Sequence, residues 1–96
     1  MSNHVTLNGK KYPLRFTYSV IANIEKDTGK SFIALDPKKI EVGDCIVMAY
    51  HGCRKANPDF DLSIEDVGDG FESQTFTEVF NALTEDMAKP SKDEKK

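Results

Sequence analysis

The stretch from Ile40 to Asn57 constrains this chain more than any other, because between Cys45 and Ala49 it is apolar on every side of a helix. A helix that is apolar all round has to be covered by the rest of the protein, so it is expected to be the central element. At 3.6 residues per turn, Val42, Cys45, Ile46, Ala49 and Cys53 form one stripe, and Val47, Met48 and Tyr50 widen the buried arc. Ile46 and Met48 lie where the arc is widest, so both are expected to be buried. Asn57-Pro58 ends the helix, since the residue before a proline is pushed out of helical dihedrals. Its start has two candidates: Asp36-Pro37 reads as an N-cap with proline at the first helical position, and Gly43 moves the regular start toward Val42.

Ninety-six residues suffice for one modest core. The only two cysteines, Cys45 and Cys53, are eight residues apart, which on a helix separates them by about 12 Å along the axis. That is too far for a disulfide, so both are read as reduced core residues of a cytosolic protein. The opening Met-Ser-Asn-His-Val lacks the pattern of an export signal, and no apolar run approaches membrane-spanning length. Neither membrane insertion nor export by a signal peptide is expected. Charge is uneven: residues 1–56 carry nine Lys/Arg against five Asp/Glu, whereas residues 57–96 carry four against eleven. Either each half solvates its own surface, or one face meets a charged partner.

At the N-terminus, Asn8-Gly9 separates two short segments with apolar alternation, and both residues accept positive φ, the signature of a two-residue hairpin turn. Such a turn fixes the register, with Leu7 opposite Lys10, Val5 opposite Tyr12 and His4 opposite Pro13. Val5, Leu7, Tyr12, Leu14 and Phe16 then share one face, and His4, Thr6, Lys11 and Arg15 the other. Pro13 falls at a non-hydrogen-bonded pair, where its missing N–H does no harm to the ladder.

Thr17 is placed to cap a helix over Tyr18 to Thr28, with Tyr18, Val20, Ile21 and Ile24 as its apolar face and Gly29 closing it. Phe32, Ile33 and Leu35 follow in a connector that anchors this helix to the central one. Beyond Pro58, Ser63 and Asp66 make a capping box, with Leu62 stapled on Val67, opening a short helix that Gly68 and Gly70 limit; Phe71 closes its core contact. Thr75-Phe-Thr-Glu78 reads as a second capping box, leading into a helix with Phe76, Val79, Phe80, Leu83 and Met87 at helical spacing, which stops before Pro90. Residues 90–96 contain no apolar residue and are expected to be a disordered charged tail after a single domain over 1–89. The expected fold is mainly α: about four helices around a central apolar helix, with an N-terminal β-hairpin.

No constellation supports catalysis. Gly29-Lys30-Ser31 ends like a phosphate-binding loop but has Ile24 where the first glycine belongs, and it follows a helix where that motif needs a strand. Asn57, Asp59, Asp61, Ser63 and Glu65 alternate like calcium ligands, yet the closing glutamate falls on Gly68 or Gly70. His51 and Cys53 project about 200° apart on a helix, so Cys53 belongs to the core and His51 to the surface. No catalytic, cofactor-binding or metal-ligating residue is assigned.

Gly9-Lys-Lys-Tyr-Pro-Leu-Arg-Phe-Thr-Tyr, Ile24-Glu-Lys-Asp-Thr-Gly-Lys30, the apolar helix ending in Asn57-Pro58-Asp59, and Leu62-Ser-Ile-Glu-Asp-Val67 follow one another in an order and spacing that resembles the small tail assembly chaperones of long-tailed bacteriophages and related gene transfer agents. The resemblance spans about residues 5–88. It implies a non-enzymatic protein of the host bacterial cytoplasm that binds the long tape measure protein and keeps it soluble while the tail tube polymerises, and that is absent from the mature virion. The tail tube protein and a second copy of the chain are further partners to consider. The chain looks like the family's short form, which in many members is accompanied by a longer, frameshifted one.

The resemblance brings no functional residues with it, so a partner surface has to be chosen from physics. The apolar hairpin face and the last helix carry more apolar area than a small fold needs, which selects Tyr12, Phe76 and Phe80, with Lys10, Lys11 and Arg15 as a charged rim. The rival reading is a small DNA-binding regulator of phage or prophage origin, prompted by the short helices and the basic residues. Against it, no helix gathers three or four Arg, Lys, Asn or Gln on one face as a recognition helix would, and the chain is net acidic. Neither nucleic acid nor membrane is an expected partner.

Overall fold

A computed structural model of the chain describes residues 3–31 and 40–88, residues 87 and 88 by their backbone alone. Strands β1 (Asn3–Leu7) and β2 (Lys10–Leu14) are followed by helices α1 (Tyr18–Thr28), α2 (Val42–Ala56), α3 (Ile64–Gly70) and α4 (Ser73–Ala88). The expected anchoring of Phe32, Ile33 and Leu35, the Asp36-Pro37 cap, the side-chain packing of Met87, and the charged tail over 90–96 lie outside the described residues.

The hairpin has the expected register: Leu7 pairs with Lys10, Val5 with Tyr12 and His4 with Pro13. Asn8 and Gly9 take φ of 54° and 78°, the left-handed pair that lets a two-residue turn follow the twist of its strands. α1 starts at Thr17, whose hydroxyl accepts from the Val20 N–H, and closes at left-handed Gly29. α3 carries its capping box: the Asp66 N–H donates to Ser63 Oγ, and the Ser63 N–H to the Asp66 carboxylate.

α2 lies across the middle. Val5, Leu7, Leu14 and Phe16 of the hairpin, Val20, Ile21 and Ile24 of α1, Met48, Ala49 and Cys53 of α2, Val67 of α3, and Val79, Ala82 and Leu83 of α4 form one buried cluster. The hairpin approaches α2 at Gly52, where an added Cβ would lie 2.7 Å from Leu14 Cδ1 and 3.2 Å from Phe16. The glycine leaves room for Leu14 and Phe16 beside it, where the Arg15 N–H donates to the Gly52 carbonyl at 3.1 Å.

Five expectations are corrected. The apolar stripes of α1 and α2 run past the core in their first turns, leaving Tyr18 78% and Val42 60% exposed. Met48 is fully buried but Ile46 only half; among the described residues Ile46 lies against Gly68 of short α3. His51 is half-buried rather than turned outward, its Nε2 lying 2.6 Å from Asp27 Oδ2 of α1. The apolar hairpin face is not spare surface: Val5, Leu7, Leu14 and Phe16 are core.

The last correction concerns α4. It begins at Ser73, two residues before the supposed cap Thr75. Thr75 is fully buried inside the first turn; its hydroxyl accepts from the Glu72 N–H (2.9 Å) and donates to the Thr6 carbonyl of β1 (2.7 Å). Glu78, the supposed reciprocal partner, accepts instead from the Thr6 N–H (2.6 Å) and the Thr6 hydroxyl (3.0 Å). The three-residue spacing that suggested a box puts both side chains on one face of α4, and that face meets a strand edge.

Candidate protein-binding surface

The start of α2 is fixed from inside. Asp44 points inward and accepts from the Glu41 N–H (3.0 Å) and from Lys30 Nζ (2.8 Å), while Lys30 also lies 3.3 Å from Glu41. Burial alone would raise the Asp44 carboxyl, but the Lys30 hydrogen bond, the Glu41 N–H and the Lys30 charge together hold it below its ordinary value. Lys30 is held above its own, chiefly by the bond to Asp44. With Asp44 turned in, the flank of α2 that carries Val42 is left toward solvent.

Beside this first turn, α2 and α4 leave an open groove of about 290 Å³. Ile40 and Cys45 line it from the α2 side, and Phe76, Thr77, Phe80 and Asn81 from α4. Phe76 is set by an edge-on contact with Phe71, ring centroids 4.9 Å apart. Burial, and then the Asp44 charge, push the Cys45 thiol up from its ordinary value. It stays protonated at neutral pH and serves as apolar wall rather than nucleophile.

Of the six residues selected from sequence, Phe76 and Phe80 line the groove, both half-buried, and Lys10, Lys11, Tyr12 and Arg15 do not. Lys10, Lys11 and Arg15 are exposed on the hairpin. Tyr12 is half-buried, its ring perpendicular to that of Phe60 at 5.7 Å, in a cluster that continues to Tyr50. It helps pin the segment after α2 to the hairpin. Sequence reasoning missed Ile40 and Cys45 as groove walls and Val42 as exposed. Their signal was present in the all-round apolarity of the central stretch, which exceeds what its neighbours cover.

No family model, curated protein or solved structure matches the chain. Among the described residues, no three His, Cys, Asp or Glu gather as a metal cage, and no helix is long and apolar enough to cross a membrane. The groove offers aromatic and aliphatic contacts, with only Thr77 and Asn81 as polar groups, and this chemistry suits apolar side chains of another protein.

Proposed function

We propose that this protein is a non-enzymatic holding partner for a long helical protein, acting as the tail assembly chaperones it resembles act on the tape measure protein of a long-tailed phage. On this reading it works in the bacterial cytoplasm during tail tube assembly and is left out of the finished particle. The observation that carries the reading is the groove between α2 and α4, where Phe76 and Phe80 lie one helical turn apart, both half-buried, with Ile40 and Cys45 on the opposite side. A partner helix presents apolar side chains at three- and four-residue intervals, about 5–6 Å apart, a spacing that a pair such as Phe76 and Phe80 meets side by side.

Co-expression with the tape measure protein of the same phage or prophage tests it. The wild-type chain should raise the soluble fraction of that partner, and Phe80→Ser should lower it again while thermal unfolding of the purified variant stays within a few degrees of wild type. A partner equally soluble without this protein would overturn the function. A rescue that survives Phe80→Ser but not Lys11→Glu with Arg15→Glu would keep the function and move the surface to the hairpin.

A further inference from the structure

α1 and α2 enclose a second concavity, of about 420 Å³, on a different part of α2 from the groove. Ser19, Val20 and Asn23 line it from α1, and His51, Arg54 and Lys55 from the last turns of α2. Ser19, Asn23, Arg54 and Lys55 can donate hydrogen bonds into it, and the lining itself contains no carboxylate, Asp27 lying behind His51. Arg54 is already placed: its Nη1 donates to the Tyr50 hydroxyl at 3.3 Å and its guanidinium lies 5.3 Å from the centre of the Tyr50 ring. His51 is held by Asp27 at 2.6 Å. Among the described residues, neither Arg54 nor Lys55 has a carboxylate within ion-pair distance. By contrast, Lys30 at the other end of the same helix pair has two.

We propose that this concavity is an anion site for a phosphate group carried by a small phosphorylated ligand. Two unpaired cations give the site its charge preference, and the placed guanidinium offers a fixed fork of donors. Donors come from two helices, Ser19 and Asn23 from α1 and Arg54 and Lys55 from α2. A carboxylate has two oxygens in one plane and leaves part of such a set unused, whereas the tetrahedral oxygens of a phosphate can accept from donors of both helices. The uncharged Ser19 and Asn23 fit the same ligand, since they bind oxygen without requiring further negative charge. The site lies outside the α2–α4 groove and does not depend on what that groove binds.

Backbone and side-chain amide NMR shifts of the full chain, titrated with inorganic phosphate at constant ionic strength, test the assignment. Saturable shifts should centre on Ser19, Asn23, His51, Arg54 and Lys55. Arg54→Gln combined with Lys55→Gln should weaken binding by about tenfold or more, as expected for losing charged hydrogen bonds. Lys10→Gln combined with Lys11→Gln removes equal charge from the hairpin and should leave the affinity unchanged. Both changes are on exposed side chains, and unchanged wild-type dispersion in the spectra verifies the fold. Shifts that never saturate, acetate binding as tightly as phosphate, or an equal loss in the hairpin variant would each overturn the proposal.

Discussion

The hairpin is held on its two sides by different physics. Against α2 it packs through apolar groups, Leu14 and Phe16 closing on Gly52 with Val5 and Leu7 beside them in the core. Against α4, whose Val79, Ala82 and Leu83 share that core, it is also held by side chains bonded to backbone: Thr75 and Glu78 on Thr6, and Asp86 on the Phe16 N–H at 2.9 Å. Apolar contact follows buried area and tolerates volume-conserving exchange. The α4 side adds a few directional bonds, and losing one partner of these leaves a desolvated polar group behind. The two sides should therefore fail differently.

The largest effect is expected on the α2 side. Met48→Ala should cost roughly 2–5 kcal/mol in denaturant unfolding, and Ile46→Ala distinctly less because half-exposed Ile46 has less burial to lose. Equal losses at the two positions would break the claim that α2 is covered unevenly. On the α4 side, Thr75→Val keeps the volume but strips the Glu72 N–H and the Thr6 carbonyl of their partner, for an expected loss of about 1–3 kcal/mol. If Met48→Leu, of similar volume, costs as much as Thr75→Val, the contrast between the two sides is wrong.

A third prediction is pH-dependent and concerns the one buried carboxylate in the first turn of α2. Asp44 is held below its ordinary value, so its stabilisation is present above the usual carboxylate range and is lost as pH falls through the lowered folded value. Lys30 is held above its ordinary 10.5, so its share is present below that value and fades as pH rises through the raised one. Asp44→Asn should lower the melting temperature near neutral pH and flatten both the acid and the alkaline decline relative to wild type. Parallel curves would show that the pair contributes no pH dependence. The smallest effect belongs to exposed Val42: Val42→Ser should change stability by less than about 0.5 kcal/mol.

Thiol chemistry gives an independent readout of the apolar side. Burial pushes the Cys53 thiol up to about 12, so at pH 8 an alkylating reagent should modify Cys53 only at the rate at which the fold opens. In Met48→Ala that rate should rise with the loss of stability; fast modification of wild type would contradict the burial of this part of α2.

Much of this architecture could be read locally. Asn8-Gly9 dictates the hairpin register, Thr17 and Gly29 bound α1, and Ser63 with Asp66 opens α3, because in each case the deciding bonds join residues within a few positions of one another. The misreadings share the opposite cause. Thr75 and Glu78 bond to Thr6, about seventy residues away in sequence, so a local pattern that looked like a cap was serving a distant strand. Asp44 looks like a polar interruption of an apolar helix until Lys30, fourteen residues earlier, is seen to satisfy it. Tyr18 and Val42 fit their helical stripes but lie in first turns that extend past the core. The groove was half legible: Phe76 and Phe80 could be named, whereas Ile40 and Cys45 become its wall only once α2 and α4 are set side by side.

The grip of α4 on Thr6 also decides how anything else can join this molecule. Thr6 occupies the position in β1 whose N–H and carbonyl face away from β2, and Glu78 and Thr75 already occupy both groups. On β2, Pro13, the outward-facing position two residues beyond Lys11, has no N–H to offer. A third strand, whether from another copy or from an unfolded segment of a client, finds the ladder blocked at these positions on both edges of the sheet. At these positions the hairpin is less open to the strand-by-strand growth that exposed edges invite. Main-chain pairing is hindered at these two positions, which favours recognition of a partner by its side chains.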